Sequence, residues 1–262
     1  MAWIDELLGR TLVLVAHPDD ECLAFGALLQ RMREPLVVFA TNGAPADSYF
    51  WQAHGSREAY AAIRRQEALL SMHAVGVKDV AFLADLPGGE ALADQELFRN
   101  LVPAFDLLAD LVRRRMTTAL LTLAYEGGHP DHDSCSFLAA HLAKLASLPC
   151  WEAPLYHRAS DGSEVFQEFI ENSGEEIDVR PSPAEQERKR KMCLAYSSQG
   201  DFLSRFDVAK ETVRQQIAYD YARPPHPGKV NYELWQWAMT AEQVSAEFVA
   251  FLKPRVMGNS GR

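Results

Sequence analysis

The sequence predicts an α/β protein in which a mostly parallel sheet is covered by helices on both faces. Three observations predict this fold class. Short apolar runs alternate with longer stretches in which apolar residues recur with helical period. The stretches between successive runs are long enough for the helical crossovers that parallel strands require. With 262 residues and 48% hydrophobic content, the chain can form one large domain.

Four apolar runs are the predicted strands of the N-terminal half. They cover residues 11–16, 36–40, 79–84 and 117–124. The runs are largely continuous rather than alternating, which is typical of strands buried on both faces. Right-handed crossovers between such strands place helices on both sides of the sheet, so we expect a Rossmann-like arrangement.

The intervening stretches predict helices. Ser56 is a candidate N-cap for a helix that ends near residue 74, and Pro103 is expected to bend a helix over 94–115. Two further helices are expected, one over 22–33 and one that follows the polar loop 125–133 and ends near Leu148.

The pattern beyond residue 150 is less regular. We expect a fifth strand over 151–157, and two short strands, 165–170 and 177–180, that pair with each other. An ordered loop rich in aromatic residues and proline is expected over 219–237. These features predict a smaller, irregular C-terminal portion.

Two helices are predicted in this portion. Ser182 and Glu185 form a capping box at the start of the first helix, whose basic run over 188–191 is interpreted as a solvated face. Thr240 is a candidate cap for the last helix, which ends near Leu252.

The charge balance excludes two classes of partner. Lys and Arg total 26 and Asp and Glu total 36, which gives a net charge of −10. An acidic chain is not expected to bind nucleic acid or an anionic membrane surface.

The N-terminus lacks the basic and apolar regions of a signal peptide, and no apolar run is long enough for membrane insertion. A cytoplasmic protein is therefore expected, with reduced thiols at its four widely separated cysteines, Cys22, Cys135, Cys150 and Cys193.

Two polar constellations follow predicted strands. The first is His17-Pro18-Asp19-Asp20-Glu21, and the second is His129-Pro130-Asp131-His132-Asp133. Ligands of parallel sheets bind beyond the carboxyl ends of the strands, where both constellations are expected to lie. Histidine and carboxylate ligands suit Zn²⁺, and also Fe²⁺ or Mn²⁺. His17 and Asp20, three residues apart, can turn toward one point, and His132 would complete a set of three ligands that leaves a position open for water.

Two other interpretations compete with a metal site. A nucleotide site needs glycines after the first strand, but that turn carries two aspartates and a glutamate, and the sequence contains no GxGxxG or GxxxxGK[ST] pattern. Each constellation alone could be a set of helix caps. Two of them at one sheet edge favour a metal site, because so many buried ionisable groups are costly unless paired or bound to metal.

These two motifs carry a resemblance to a known family. AHPDDE at 16–21, followed by HPDH at 129–132, resembles the zinc-dependent N-deacetylases of the LmbE/PIG-L type. That family includes deacetylases of N-acetylglucosaminyl-phosphatidylinositol and of the precursors of mycothiol and bacillithiol. The resemblance covers residues 11–148. Weaker similarities occur at Thr41-Asn42-Gly43, at Arg64 and Glu67 followed by Val75-Gly76-Val77, and at Lys191 with Ser198-Gln199.

The resemblance implies a role for each matching residue. It implies that His17, Asp20 and His132 are the metal ligands and that Asp19 is the general base. It also implies that His129 stabilises the oxyanion while Asp131 holds its imidazole. Some family members carry a tyrosine two residues before the histidine that matches His129. Gly127 stands there in this chain, and Tyr125 is the candidate substitute.

The expected activity is removal of an acetyl group from an N-acetylated amino sugar of the N-acetylglucosamine type, or from its conjugate. Zn²⁺ would activate water, Asp19 would move the proton, and Arg64 is a candidate substrate-binding residue. The alternatives are a metal-dependent hydrolase of a non-sugar amide, and a non-catalytic module of the same fold that binds a carbohydrate or metabolite.

The expected partner is a small amino-sugar substrate, and we expect one domain over residues 1–262. Its α/β core, 1–150, would hold the metal site, and 151–262 would complete the substrate cleft. The loops 44–55, 86–93 and 219–237 are expected to select the substrate. Their aromatic residues could contact sugar, belong to the core or form a homo-oligomer contact.

Overall fold

A computed structural model describes residues 4–170 and 174–253 of the chain. Its centre is a seven-stranded sheet. Five neighbouring strands are parallel to one another, and each of the two remaining strands, at one edge, pairs antiparallel with the strand before it in the sheet. The strand order is β3-β2-β1-β4-β5-β9-β8, and β6 and β7 form a separate hairpin. The strands are β1 (Thr11–Val15), β2 (Leu36–Phe39), β3 (Asp79–Phe82), β4 (Ala119–Leu123), β5 (Cys150–Ala153), β6 (Tyr156–Arg158), β7 (Glu164–Phe166), β8 (Ile177–Asp178) and β9 (Thr212–Gln215).

Helices cover both faces of the sheet, so the predicted fold class is confirmed. They are α1 (Ile4–Leu7), α2 (Asp20–Leu29), α3 (Arg57–Ala74), α4 (Leu101–Arg115), α5 (Pro130–Ala146), α6 (Pro183–Ala195), α7 (Gly200–Leu203), α8 (Asn231–Leu234) and α9 (Ala241–Leu252). Short 3₁₀ turns cover 48–50, 52–54, 83–85, 97–99 and 197–199. In the described part of the chain, no helix is both long and apolar enough to cross a membrane.

The sheet separates two hydrophobic cores. Successive residues of β1 alternate between them, since Val13 and Val15 pack with α2, α3 and α6 while Leu12 and Leu14 pack with α4, α5 and α9. All four side chains are at most 1% exposed. A strand that is apolar at every position is thus explained by a sheet buried on both faces.

The helix predicted over 94–115 begins later than expected. It starts at Leu101, and Pro103 lies in its first turn. The first amide groups of a helix have no partner within it, so a proline is tolerated there. Residues 94–100 are consequently released from the helix, and Asp94 and Gln95 line the main cavity.

Two strand predictions in the C-terminal portion are wrong. The expected fifth strand, 151–157, is divided into β5 and β6, which belong to different sheets. The segments 165–170 and 177–180 do not pair with each other, because β7 pairs with β6 and β8 pairs with β9. Strand β9, which the sequence did not predict, therefore provides the partner of both β5 and β8.

The interpretation of residues 188–191 as a solvated face is also wrong at one position. Lys189 is 1% exposed, and its Nζ lies 2.7 Å from Oε1 of Glu211 and 3.0 Å from the carbonyl oxygen of Leu23. Arg188, Arg190 and Lys191 are exposed, as expected. The helix therefore carries one buried cation within a basic run.

Candidate active site

The two His/Asp constellations meet at the carboxyl ends of β1 and β4, which are neighbours in the sheet. His17 Nδ1 lies 3.3 Å from His132 Nε2. The Asp20 carboxylate lies 3.2 Å from His132 Nε2 through Oδ1 and 3.6 Å from His17 Nδ1 through Oδ2. Three donor groups from two loops therefore form a compact triangle.

The triangle has the dimensions of a zinc site. Ligands about 2.0–2.1 Å from Zn²⁺ in tetrahedral directions are separated by about 3.3–3.4 Å. The three side chains are buried, and burial excludes competing water from the donor atoms. Burial raises the pKa of Asp20, but the neighbouring His132 and His17 imidazoles outweigh it and hold that pKa below its usual range. The donor set therefore fits a divalent cation, although it does not distinguish Zn²⁺ from Fe²⁺.

Two other groups of potential ligand atoms overlap the triangle. One consists of His17, His129 and His132, and the other of His17, Asp94, His129 and Asp131; the atoms of each group lie within 4.8 Å of one another. The Asp131 carboxylate already accepts hydrogen bonds from the backbone amides of Gln95 and Leu97, at 2.7 and 3.0 Å. We expect Asp131 to support the site rather than bind the cation, because its carboxylate is engaged by these amides.

Asp19 adjoins the triangle in a strained backbone conformation. Its φ is 123°, a value that non-glycine residues rarely adopt. The Glu21 carboxylate accepts from the Asp19 backbone amide at 3.0 Å, and it is itself held by hydroxyl groups of Ser71 and Tyr196 at 2.7 and 2.6 Å. A buried network thus holds Asp19 in the orientation that places it on the cavity wall.

Arg64 is buried on α3 and contacts the same turn. Its guanidinium donates to the carbonyl oxygen of Pro18 and, at 3.1 Å, to Oδ2 of Asp19. Burial raises the pKa of Asp19 to about 8, although the charge of Arg64 opposes that shift. Arg64 also lines the cavity, so the predicted substrate-binding residue lies at the site and is paired with Asp19.

His129 begins α5 and caps it with its own side chain. Its Nδ1 accepts from the backbone amide of Asp131 at 3.1 Å, so the proton of a neutral ring lies on Nε2. Nε2 is 3.3 Å from Oδ1 of Asp94. Burial, together with the charge of His17, holds the pKa of His129 below its usual value. The neutral ring can therefore donate a hydrogen bond through Nε2 without an added proton.

Asp131 lies closer to His17 than to His129. Its Oδ2 is 3.1 Å from His17 Nε2 and 3.9 Å from His129 Nδ1. A hydrogen bond is made at the first distance and not at the second. The observed contact fixes the His17 ring so that Nδ1 faces Asp20 and His132. This arrangement differs from the one that the family resemblance implied, in which Asp131 holds the His129 ring.

Asp94 is the site residue that sequence reasoning missed. Its Oδ1 lies 3.5 Å from His17 Nε2 and 3.3 Å from His129 Nε2. A signal was present, because the loop after β3 lies at the same sheet edge as the loops after β1 and β4. The sequence predicted that a helix begins at residue 94, so Asp94 was not expected to belong to this loop.

Two weaker sequence similarities meet in the structure. The Glu67 carboxylate on α3 accepts from Ser197 Oγ at 3.0 Å and from the amide and hydroxyl groups of Ser198 at 2.8 and 2.6 Å. These contacts hold the 197–199 turn against α3, and Gln199 lines the cavity. Glu67 and the Ser-Gln pair are therefore parts of one local structure.

The position of Gly127 disfavours a tyrosine. Its φ is +69°, and a Cβ there would lie 2.6 Å from Cγ1 of Val230. The Tyr125 hydroxyl donates to the carbonyl oxygen of Arg223 at 2.8 Å, and Tyr125 is not among the residues that line the cavity. Tyr125 therefore packs outside the cavity lining and does not lie beside the triangle.

A cavity of about 520 Å³ opens over the triangle. That volume lies within the range of small-molecule sites, about 300–1,000 Å³. Two of the three loops expected to select the substrate contribute aromatic side chains to it. They are Tyr49 and Phe50 from 44–55, and Trp235 and Trp237 from 219–237.

Comparison with known proteins identifies the family. The model of the family described as PIG-L: GlcNAc-PI de-N-acetylase matches residues 12–143, half of the chain. A 1D-myo-inositol 2-acetamido-2-deoxy-alpha-D-glucopyranoside deacetylase of Nocardioides sp. is 26% identical over 173 residues, 56% of this chain and 57% of that protein. A probable N-acetyl-alpha-D-glucosaminyl L-malate deacetylase 2 of Bacillus cereus is 25% identical over 154 residues, 56% of this chain and 66% of that protein. The matches thus span less than two thirds of either relative.

A structural comparison agrees on the fold. The crystal structure of a deacetylase triple mutant from the teicoplanin biosynthetic pathway superposes with a TM-score of 0.61 at 19% identity. The superposition covers 80% of this chain and 99% of that one. At this identity the likeness concerns the fold alone. Together with the family model and the paired motifs, these findings show that the chain belongs to the GlcNAc-PI de-N-acetylase (PIG-L) family.

Proposed function

We propose that this chain hydrolyses the acetamide of an N-acetylated amino sugar of the N-acetylglucosamine type, or of its conjugate, and releases acetate. The observation that carries the proposal is the triangle of His17, Asp20 and His132 beside Asp19 in a cavity of small-molecule size. The two relatives support the sugar, because each is named as a deacetylase of an N-acetylated glucosamine derivative.

The same three residues are the proposed Zn²⁺ ligands. When bound, the cation lowers the pKa of water to about 7 and polarises an amide carbonyl. Asp131 orients one ligand, since its hydrogen bond to His17 Nε2 leaves Nδ1 for the cation. A carboxylate–histidine pair of this kind supports both the tautomer and the basicity of the ligand.

Asp19 is the proposed general base. Its carboxylate takes a proton from the attacking water and returns it to the nitrogen as the C–N bond breaks, so the products are acetate and the amine. Arg64 holds this carboxylate at 3.1 Å and also reaches the cavity. We therefore propose that Arg64 positions Asp19 and binds the substrate.

His129 is the proposed oxyanion donor. Its Nε2 lies 3.3 Å from Asp94 Oδ1 at the cavity wall, where the amide oxygen of a substrate can accept its hydrogen bond. Loss of one such donor typically reduces turnover about 10²- to 10³-fold.

The deciding experiment measures acetate release and metal content on the same samples. Purified protein is incubated with a panel of N-acetylated amino sugars and non-sugar amides, and bound metal is counted by mass spectrometry. We expect acetate from the sugars. Asp19→Asn is expected to keep the metal content and lose most turnover, while Asp106→Asn, at an exposed carboxylate on α4, changes neither.

Three results would contradict parts of the proposal. Wild-type turnover in Asp19→Asn would remove its role as base. Faster acetate release from the non-sugar amides than from the sugars would favour the alternative function, a metal-dependent hydrolase of a non-sugar amide. Metal-loaded protein that binds the sugars and releases no acetate would indicate a binding module.

A further inference from the structure

Aromatic rings form a continuous wall that begins at the triangle. The His129 ring centroid is 4.9 Å from that of Trp237, and Trp237 is 5.1 Å from Trp235. Trp235 is 6.2 Å from Tyr156, which in turn lies 5.4 Å from His132. All five rings line the same cavity, so a group attached to a sugar at the triangle would meet an apolar surface.

The two tryptophans reach the cavity through a tight and strained turn. Helix α8 ends in a Schellman motif, in which the amide of Trp237 donates to Tyr232 O at 2.9 Å and that of Gln236 donates to Glu233 O at 3.1 Å. The left-handed position of this motif, usually a glycine, is occupied by Gln236 at φ 59°. Such strain is concentrated where a backbone must hold ligand-binding side chains.

Both arginines in the described cavity lining already have a carboxylate partner. Among the described residues that line the cavity, the arginines are Arg64 and Arg205. Arg64 is paired with Asp19, and Arg205 is paired with Glu164 and lies 4.6 Å above the Phe166 ring.

We propose that Trp235 and Trp237 form a subsite for an uncharged, apolar aglycone, such as an aryl or alkyl group, on the amino sugar. The inference rests on the proposed function for the position of the sugar. Flat rings stack on indole, and alkyl chains gain from burial against it, whereas a carboxylate would be desolvated without a partner. An anionic aglycone such as malate is therefore disfavoured.

Binding of deacetylated products tests the subsite without turnover. The zinc-loaded protein is titrated calorimetrically with glucosamine and with its phenyl, octyl and malyl glycosides. We expect the phenyl and octyl glycosides to bind about tenfold more tightly than glucosamine, and the malyl glycoside to bind no more tightly than it. Comparison of the affinities for the phenyl and octyl glycosides distinguishes ring stacking from burial of an apolar group.

Variants connect this preference to the two rings. Trp235→Leu and Trp237→Leu keep apolar bulk and remove the flat face, so each is expected to reduce the tenfold preference for the phenyl glycoside about threefold. Leu234→Ala alters an exposed neighbour on α8 that does not line the cavity and is the matched control. Thermal melts confirm that each variant is folded.

The outcomes separate the subsite from the activity. Equal affinity for glucosamine and its phenyl and octyl glycosides, or tightest binding of the malyl glycoside, would overturn the subsite. So would tryptophan variants that behave like Leu234→Ala. A retained preference for apolar glycosides in a protein that releases no acetate would support the subsite while removing the deacetylase proposal.

Discussion

Replacing Lys189 with methionine should strongly destabilise the protein, whereas the same change two residues later should not. Lys189 is buried on α6, and its ammonium lies 2.7 Å from Glu211. Glu211 also accepts from the backbone amides of Ala27 and Leu28, at 2.5 and 3.1 Å. The pair therefore holds the last turn of α2, the helix that begins at Asp20.

The magnitude follows from the burial of the pair. Lys189 is 1% exposed and Glu211 is 4% exposed, so Lys189→Met leaves a desolvated carboxylate without its counter-charge. Breaking a buried pair in this way costs about 3–5 kcal/mol of unfolding free energy. For a chain of this size, that loss lowers the Tm by about 6–20 °C. The glycine at position 26 matches this arrangement, because a Cβ there would lie 2.8 Å from Lys189 Cγ.

The assay is calorimetric melting of wild type, Lys189→Met and Lys191→Met at one protein concentration. Lys191 is exposed on the same helix, so its variant is expected to change the unfolding free energy by less than about 0.5 kcal/mol. Adding Glu211→Gln to Lys189→Met should recover part of the loss, since the neutral amide needs no counter-charge. Equal melting temperatures for the two lysine variants would refute the burial of Lys189.

Three further outcomes are expected. His132→Ala should lower the zinc-to-protein ratio measured by mass spectrometry, whereas His141→Ala, outside the triangle, should not; an unchanged ratio for His132→Ala would exclude that ligand. Gly127→Ala should cost about 1–3 kcal/mol in urea unfolding, because its Cβ would press on Val230 at a left-handed φ; wild-type stability would show that the turn relaxes freely. Gln236→Gly should raise the Tm by about 1–4 °C by relieving the left-handed conformation, and a lower Tm would contradict the strain assigned to that turn.

The fold and the centre of the site could be predicted because their signals are local. Continuous apolar runs identified β1, β2 and β4 closely, since each residue of these strands is buried on one face or the other. The run at 79–84 identified β3, although this edge strand is only partly buried. His17, Asp20 and His132 came together as expected because the carboxyl ends of adjacent parallel strands share one edge. Neither inference required knowledge of distant contacts.

The C-terminal portion was predicted less well for a physical reason. Strand β8 has two residues, too few to show a hydrophobic period. Strand β9 is as long as β2, but its sequence, TVRQ, contains no continuous apolar run. Pro103 was expected to interrupt a helix, but it lies in a first turn where its missing amide costs nothing. Local propensity alone could not place that boundary.

By itself, the sequence determined a parallel α/β sheet and a paired His/Asp centre at the ends of two strands, because hydrophobic period and motif spacing are properties of short segments. Only the tertiary structure decided that Asp131 faces His17, that Asp94 joins the centre, and that Lys189 is buried. It also decided that Trp235 and Trp237 line the cavity. The orientation of each of these side chains is set by residues far away in the chain, so no local pattern contains it.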